Sequence, residues 1–475
     1  MGQKFSNGTI TPTDTLVDSA LKAVRQSPLN LLGIPFWLLR GKAALKARLA
    51  TEIRLDTTLL PYREPFLAYL REEHAKGRRL VLATAAHRSI AEAVAAHLQL
   101  FSQVIATDAT RNLKGANKLQ AIREEVGEPF VYAGDCAADL PIWLASAGAV
   151  LLNVPADVAA TVRAKVPVER EFGGEPTGFG VWLKALRIHQ WAKNLLLFVP
   201  LLTAFSFTDP HRIGLMLSAF LAFSLTASAT YMVNDLWDLE SDRAHPRKRL
   251  RPFASGILPI QHGAAAAGGL LLVGFALAHA VSLAFCAMLA VYLVLTTLYS
   301  LVLKRRTIID VLMLALLYTL RILAGSVAIA VSTTSWLLAV SLFAFLSLAL
   351  IKRCAELVAL RNNGKHTAKG RNYRVEDLAV LWPAGVSSAF AAVVVFGLFI
   401  SAPETRTRYL TPELLWGVAL LLIYWLTRLW IKTARGEMHD DPVIYAARDL
   451  GSRLTIIAMV TLVLFAHFTS IPLPF

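Results

Sequence analysis

Three aspartates within one short stretch are the residues of this sequence that are best placed to do chemistry. Asp235, Asp238 and Asp242 are spaced three and four residues apart, so on a helix they would project from one face. Carboxylates that converge in this way repel one another unless a divalent cation neutralises them. A cation held by few carboxylates keeps positions open for phosphate oxygens. The spacing therefore predicts a magnesium site that binds a diphosphate; the alternative is a solvated turn beside a membrane, with scattered charges.

Further polar residues lie at the ends of apolar runs or inside them, where charges are costly in lipid and usually mark a site or a buried pair. The residues that we select on this basis as candidates for substrate binding are Arg187, Gln190, Lys193, Asn194, Lys248, Arg249, Arg251, Tyr299, Lys304, Arg321, Lys352, Arg353 and Glu356. Arg321 lies deepest, about three turns into its apolar run. It either binds a ligand or forms a structural ion pair with Asp310.

Apolar runs dominate the chain from about residue 180, and 55% of all residues are hydrophobic. This composition excludes a wholly water-soluble globule. The runs predict nine membrane spans, at about 194–208, 212–233, 262–279, 281–302, 308–330, 335–351, 378–401, 412–431 and 453–471.

The loops between these spans carry 18 basic residues on one side and only 3 on the other. This imbalance predicts a multi-pass membrane protein whose basic loops lie on the cytoplasmic side. We expect the membrane to be a bacterial inner membrane. The N-terminal domain and the polar clusters would then face the cytoplasm, and the C-terminus would lie outside. The net charge of +15 is explained by this topology and by bound phosphates, so we expect no nucleic acid partner.

Residues 1–175 have a different character. Short apolar strands at 79–84, 104–106, 130–133 and 149–152 alternate with amphipathic helices, which predicts an α/β domain with a parallel sheet. A stretch rich in Gly and Pro follows, so we place the boundary between two domains, 1–175 and 176–475, within it. The apolar segment 29–39 is too short to cross a bilayer and would form either a cap helix or an interfacial contact.

The sequence from about 180 to 475 resembles the UbiA-type family of intramembrane transferases. The family's Asn-Asp-x-x-Asp-x-x-x-Asp motif is matched by Asn234, Asp235, Asp238 and Asp242. The resemblance implies an all-α membrane domain with nine helices and a cavity that opens to the cytoplasm. Typical members bind a prenyl diphosphate between two aspartate clusters, but the loop 352–373, where the second would lie, contains no aspartate. The basic residues there suit an anion bound without a metal, which indicates two different phosphorylated substrates.

Three phrases, at 187–194, 245–252 and 352–357, are similar to one branch of that family, the decaprenyl-phosphate phosphoribosyltransferases. The segment 441–449 also fits this branch. The resemblance implies Mg²⁺-dependent transfer of 5-phosphoribose from phosphoribosyl pyrophosphate to a polyprenyl phosphate, and it leaves room for a homo-oligomer. It implies that the three aspartates bind Mg²⁺, with Asn234 orienting a carboxylate or a phosphate. The residues implied for the ribose phosphate or the diphosphate are Lys248, Arg249 and Arg251. Those implied for the lipid phosphate are Lys193, Lys304, Lys352 and Arg353.

The N-terminal domain resembles the haloacid-dehalogenase-type phosphatases. The residues that match the family's motifs are Gly8 to Asp14, Thr84, Lys118, Asp135 and Asp139. The positions of the family's nucleophilic aspartate and its acid/base aspartate are occupied by Phe5 and Asn7. Phe5 cannot form an aspartyl-phosphate and Asn7 cannot transfer a proton. We therefore expect a phosphatase-like fold with an inactive, vestigial site.

Two other functions stay open. One is transfer of a prenyl group from a polyprenyl diphosphate to an aromatic acceptor, as in quinone or haem pathways, and the missing second aspartate cluster argues against it. The other is transport. No inverted repeat is evident, and the ionisable clusters lie at one membrane face, whereas transporter sites lie near the midplane.

Overall fold

The computed structural model describes residues 2–5, 7–39, 41–108, 113, 115–127, 129–174, 178–367, 371–438 and 441–470. Within these ranges, the side chains of residues 2–5, 7, 8, 31, 38 and 42–44 lie outside the description. The chain divides into two compact units. The first comprises residues 1–186 and 231–266, and the second comprises residues 187–230 and 267–475. The aspartate segment therefore belongs to the same compact unit as the N-terminal domain.

The first unit is built on a six-stranded parallel sheet with the strand order β3-β2-β1-β4-β5-β6. The strands are β1 Gly2–Phe5, β2 Leu80–His87, β3 Gln103–Thr107, β4 Phe130–Gly134, β5 Gly148–Leu152 and β6 Val168–Phe172. Strands β4 and β5 are buried along their whole length, as expected when helices cover both faces of a parallel sheet. The predicted α/β domain with a parallel sheet is confirmed. Strands β1 and β6 were not predicted, because β1 is short and polar and β6 is a charged strand at the edge of the sheet.

In the described chain, ten α-helices of the first unit lie in its N-terminal segment, residues 1–186. They are α1 Asn7–Ile10, α2 Thr15–Gln26, α3 Asn30–Leu39, α4 Lys42–Glu52, α5 Glu64–Ala75, α6 Arg88–Leu98, α7 Ala116–Val126, α8 Leu140–Leu144, α9 Ala156–Lys165 and α10 Phe179–Leu186. The 3₁₀ helices are Thr57–Leu59 and Ala137–Asp139. The predicted domain boundary at 175 falls on residues outside the described ranges and stays a prediction.

Eight helices of the described chain are long and apolar enough to cross a membrane. The α-helices of these eight segments are α12 Pro210–Trp237, α14 Ile260–Val281, α15 Leu283–Leu301, α16 Ile309–Ala328, α17 Ser335–Asn362, α18 Leu378–Ser401, α20 Leu415–Ala434 and α22 Leu450–Phe468. The shorter helices are α11 Val199–Thr203, α13 Leu239–Arg243, α19 Pro403–Arg408 and α21 Pro442–Arg448. The remaining 3₁₀ helices are Ile188–Phe198, Lys248–Leu250, Leu303–Arg305, Val375–Asp377 and Pro412–Leu414.

The first of the nine predicted spans is the one that differs. The segment 194–208 forms the end of a 3₁₀ helix and then α11, which ends at Thr203. Phe205 has a positive φ of 53°, which ends the helical path. Nine continuous spanning helices are therefore not found in the described chain.

This short first segment is packed tightly in the second unit. A Cβ atom on Gly325 of α16 would lie 2.1 Å from the carbonyl oxygen of Leu197, so only glycine permits this approach. The close contact brings the polar residues that precede Leu197 against α16. The main apolar core of the unit lies between α16, α17, α18 and α20.

Candidate active site

The aspartate segment lies where the long helix α12 ends and the short helix α13 begins. Asn234 and Asp235 lie in the last turn of α12, Asp238 precedes α13, and Asp242 lies within α13. Helical hydrogen bonds continue across the junction, since the amides of Asp238 and Asp242 donate to the carbonyls four residues earlier at 2.9 Å. Asp235 and Asp242 are only 3% and 1% exposed. The segment thus presents two buried carboxylates, two helical turns apart, on one side.

One arginine neutralises these two carboxylates. Nη1 of Arg251 lies 3.0 Å from Oδ1 of Asp235 and 2.5 Å from Oδ2 of Asp242. Nζ of Lys248 lies 3.9 Å from the other oxygen of Asp242. The candidates Lys248 and Arg251 therefore do lie at the aspartates, as the sequence predicted, and Arg249 is exposed beside them.

The third aspartate, Asp238, has a hydrogen bond within the motif itself. Oδ2 of Asp238 accepts a hydrogen bond from the side-chain amide, Nδ2, of Asn234 at 3.3 Å. In the described chain, the three aspartates do not bring one oxygen each within 4.8 Å of one another. Two of the three carboxylates converge on Arg251, and binding of a metal by all three aspartates stays a prediction.

The donor set at Arg251 fits a hard divalent cation. Two carboxylate oxygens already converge on one positively charged nitrogen, and carboxylate oxygens are the ligands that Mg²⁺ prefers. Asp235 and Asp242 are thus candidate metal ligands, with Arg251 as their internal counter-ion.

A second charged cluster, in the second unit, has the opposite composition. Nζ of Lys193 and Nζ of Lys352 each lie 2.8 Å from the same oxygen of Asp441. The hydroxyl of Tyr318 donates to the other oxygen of Asp441 at 3.0 Å. Two lysines that were selected from the sequence are therefore brought together around one anion position.

The charges of this cluster depend on one another. Burial lowers the pKa of Lys193 to about 8, even though the nearby Asp441 opposes this shift. Burial alone would raise the pKa of Asp441, but the attraction of Lys352 and Lys193 outweighs it and keeps that pKa well below its usual range. Asp441 is therefore the stable anion of the cluster, and Lys193 is the group that titrates near neutral pH.

Sequence reasoning missed Asp441 and Tyr318 as members of this cluster. Asp441 is the N-cap of α21 and is followed by a proline, so its signal in the sequence was that of a helix start. The similarity of the segment 441–449 to one branch of the family pointed to this region but not to a partner for Asp441.

Arg321 is buried but does not pair with Asp310. Its Nε donates to Oδ1 of Asn194 at 3.0 Å, and its Nη1 donates to the carbonyl of Leu317 at 2.5 Å. Its Nη2 lies 3.2 Å from the hydroxyl of Tyr292. The proposed ion pair is therefore wrong, because Asn194 and a helix carbonyl already satisfy the guanidinium.

Asp310 is paired with Arg353 instead. Nη2 of Arg353 lies 2.7 Å from Oδ2 of Asp310, and both side chains are fully buried. Arg353 also contacts Glu356, which accepts from Arg371 at 2.5 Å. Arg353 and Glu356 are therefore committed to one another and to neighbours within the unit, which favours a structural role over binding of an anion.

The remaining candidates of the second unit lie at the ends of its helices. Arg187 has a positive φ of 52° and precedes the 3₁₀ helix Ile188–Phe198, with its carbonyl accepting from the amide of Gln190 at 2.7 Å. Tyr299 and Lys304 are half-buried at the end of α15 and in the 3₁₀ helix that follows it. Tyr299 lies close enough to Lys352 to interact with its charge, so the structure brings this candidate near the cluster of Lys193, Lys352 and Asp441.

The phosphatase-like residues of the first unit meet at the carboxyl ends of the central strands. Nζ of Lys118 lies 2.8 Å from Oδ1 of Asp139 and 2.9 Å from the hydroxyl of Tyr132. Asp135 accepts a hydrogen bond from Thr9 at 3.1 Å, and burial raises its pKa. The predicted lysine and acidic pair therefore do come together.

Cys136 joins the two acidic residues, and within the described ranges this trio is the one group of His, Cys, Asp or Glu with the spacing of a metal site. Burial raises the pKa of the Cys136 thiol to about 11, so without a bound cation this side chain is a neutral thiol at pH 7. Thr84 lies buried within β2, next to an irregularity in its pairing with β3, and its hydroxyl accepts from the backbone amide of Ala86 at 3.0 Å. The side chains of Phe5 and Asn7 lie outside the described part of the structure.

The model of the UbiA prenyltransferase family matches residues 195–451, more than half of the chain. The chain belongs to this family. The haloacid dehalogenase-like hydrolase model matches residues 7–143. The UbiA-type chain thus carries an N-terminal haloacid-dehalogenase-like domain, and both resemblances drawn from the sequence are confirmed.

Three relatives of this UbiA-type chain show how its similarity is distributed. It is 39% identical to the uncharacterized protein y4nM of Sinorhizobium fredii, over 93% of this chain and 86% of that protein. It is 35% identical to nodulation protein NoeC of Azorhizobium caulinodans, over 59% of this chain and 91% of that protein. It is 33% identical to the decaprenyl-phosphate phosphoribosyltransferase of Mycolicibacterium smegmatis, over 48% of this chain and 73% of that enzyme.

The family membership settles the general class. The chain is a transferase of the UbiA type, and its apolar helices fit a multi-pass membrane protein of that family. The motif that the sequence singled out lies within the matched region.

Proposed function

We propose that this protein transfers 5-phosphoribose from phosphoribosyl pyrophosphate to a polyprenyl phosphate and releases diphosphate. The observation that carries the proposal is the pairing of Lys193 and Lys352 on one oxygen of Asp441, at 2.8 Å each. Two lysines that share one oxygen can bind a phosphate oxygen in its place by charge, without a metal. A relative named decaprenyl-phosphate phosphoribosyltransferase supports this choice of substrates.

The absence of a second acidic cluster agrees with the same choice. The loop 352–373, where typical members of the family carry their second aspartate cluster, contains no aspartate. One carboxylate site and one lysine site suit one substrate that carries a metal-bound diphosphate and another that carries a simple phosphate.

The aspartate segment would bind the activated sugar. Asp235 and Asp242 would hold Mg²⁺, which when bound neutralises the charge that develops on the departing diphosphate. Arg251 and Lys248 lie at these carboxylates and would bind phosphate oxygens. A carboxylate released from Arg251 would become available to the cation, and the guanidinium would become available to the diphosphate.

The lysine cluster would bind the lipid phosphate in the position that a carboxylate oxygen of Asp441 occupies. The bond between the anomeric carbon and the diphosphate oxygen breaks, and a bond from that carbon to the lipid phosphate oxygen forms. The attacking oxygen is already an anion, so no general base is required. Lys193 and Lys352 orient this anion, and we assign Arg353 to holding α17 through Asp310.

We also propose that the N-terminal domain is inactive as a phosphatase, since Phe5 and Asn7 replace the two aspartates that the chemistry requires. The distribution of basic residues supports a bacterial inner membrane location with the aspartate segment on the cytoplasmic side, where a soluble sugar diphosphate is present.

A donor labelled at two positions tests the proposal. The purified protein would be incubated with Mg²⁺, decaprenyl phosphate and phosphoribosyl pyrophosphate labelled either in the ribose or in the β-phosphate. We expect ribose label in the lipid fraction and β-phosphate label in water as diphosphate. Asp235→Asn should abolish both the ribose label in the lipid and the release of labelled diphosphate. Absence of ribose label from the lipid, with an intact protein by gel filtration, would overturn the proposed reaction.

A further inference from the structure

The short helix α13 is bound on two sides within the first compact unit. One of its side chains, Asp242, faces Arg251 and the candidate diphosphate site. Another, Glu240, receives Nζ of Lys22 at 2.7 Å and Nη1 of Arg25 at 3.2 Å. Both of these basic residues belong to α2 of the haloacid-dehalogenase-like domain. The helix that carries a motif aspartate is thus attached directly to the N-terminal domain.

The most deeply buried of these contacts is an ion pair between Arg243 and Asp18. Arg243, at the end of α13, donates to both carboxylate oxygens of Asp18 in α2, at 3.3 and 3.2 Å. The two side chains are only 6% and 2% exposed. Nε of the same guanidinium donates to the carbonyl of Ala254 at 3.3 Å. Arg243 therefore joins α2, α13 and the chain that follows Arg251, and solvent screens this junction little.

A glycine completes the contact. Gly256 has a positive φ of 77°, and a Cβ atom there would lie 2.6 Å from Cγ of Pro12 and 3.0 Å from Cγ2 of Thr13. The loop behind the aspartate segment therefore packs directly against the segment that leads into α2. No side chain larger than hydrogen fits at this position without a shift of one of the two.

We propose that the haloacid-dehalogenase-like domain serves as a positioning element for the diphosphate site of the transferase. Its helix α2 fixes α13, and thereby fixes Asp242 and, through Arg251, Asp235. The positioning residues are Asp18, Lys22, Arg25, Glu240 and Arg243. The proposal rests on the proposed function, because it assigns the aspartates to the sugar diphosphate. It gives a reason for retaining a phosphatase-like fold in which the two catalytic aspartates are replaced.

Two glycine variants of the full chain provide a matched test. Gly256→Ala should loosen the contact with Pro12 and Thr13, whereas Gly127→Ala introduces alanine at a similar φ of 79° with no atom within 4 Å of its Cβ. We expect Gly256→Ala to raise KM for Mg²⁺–phosphoribosyl pyrophosphate about tenfold, since small misplacements of a binding group cost this much or more. KM for decaprenyl phosphate should not change, and Gly127→Ala should leave both values as in the wild type.

A charge exchange separates positioning from general damage. Glu240→Lys should raise the same KM, and combining it with Lys22→Glu and Arg25→Glu should restore at least half of the lost affinity. If KM for the lipid phosphate rises as much as KM for the sugar donor, or if the exchange restores nothing, the proposal is overturned.

Amide hydrogen exchange gives a readout that does not depend on the reaction. In the wild type, magnesium diphosphate should slow exchange in residues 234–256, and Glu240→Lys should abolish this protection while peptides from 283–330 stay unchanged. If the wild type transfers no phosphoribose but shows this behaviour, the positioning role stands and the reaction assigned above falls. Equal protection in the wild type and in Glu240→Lys would overturn the positioning role, whatever the reaction.

Discussion

The two charged clusters of this protein are opposite in composition. In the first unit, two aspartates share one arginine, Arg251. In the second unit, two lysines share one aspartate, Asp441. Each cluster thus contains a side chain of the charge that its ligand would bring. Under the proposed function, Asp235 and Asp242 bind a ligand that arrives with a cation, and Lys193 and Lys352 bind one that arrives as an anion alone.

The largest effect is expected from removing charge at the aspartate cluster. Asp242→Asn should lower kcat by about 10²–10³-fold, the range found when one group that stabilises developing charge is lost. Excess EDTA should abolish wild-type activity completely. Asp209→Asn, which changes an exposed aspartate outside both clusters, is the matched control for kcat. Activity of Asp242→Asn within threefold of the wild type would remove the metal role from this residue.

The lysine cluster should respond differently. Lys352→Met should raise KM for decaprenyl phosphate by about 30-fold, corresponding to the ~2 kcal/mol that is typical of losing a buried charged partner. KM for phosphoribosyl pyrophosphate should stay constant, since the aspartates are intact. Lys432→Met, which changes a lysine paired with Glu437 near the surface, serves as the control. An equal rise in both KM values would show that the two clusters do not divide the substrates.

A smaller effect is expected from pH. Burial lowers the pKa of Lys193 to about 8, so this lysine loses its charge as pH rises through that value, while Asp441 stays ionised. KM for decaprenyl phosphate should therefore rise about tenfold at most between about pH 7 and pH 9, and Lys193→Arg should flatten the profile.

The same group sets the sign of the effect of pH on stability. Its folded pKa lies below the ordinary value of 10.5, so the unfolded chain binds more protons between about pH 8 and that value. Lys193 alone should thus make the free energy of unfolding increase with pH in this window.

The KM measurement has its own contradicting outcome. A pH profile of KM that is identical in the wild type and in Lys193→Arg would contradict the role of Lys193 in binding the lipid phosphate.

Local patterns in the sequence predicted most strands and helices but few of the contacts between charged side chains. Continuous apolar runs identified β4, β5 and eight spanning helices, because burial dictates residue type along a whole element. The membrane span predicted at 194–208 was not found as one continuous helix. The hydropathy of this segment does not reveal the close packing of Leu197 on Gly325 or the turn at Phe205.

The partners of charged groups were harder to predict, because they lie far apart in the chain. Arg321 and Asp310 are eleven residues apart on one helix, yet each is satisfied by another residue, Asn194 and Arg353 respectively. Asp441 joins Lys193 across 248 positions. The motif aspartates were found because their spacing is local, whereas Arg251 as their shared counter-ion follows only from the fold.

The most direct test of the central claim offers the protein both classes of reaction at once. The protein and Mg²⁺ would be mixed with phosphoribosyl pyrophosphate, decaprenyl phosphate, decaprenyl diphosphate and 4-hydroxybenzoate. The masses of the extracted lipids would then be measured by mass spectrometry. We predict that decaprenyl phosphate gains the mass of one phosphoribosyl group and that the aromatic acid stays unmodified. A prenylated aromatic acid, with decaprenyl phosphate unchanged, would contradict the account.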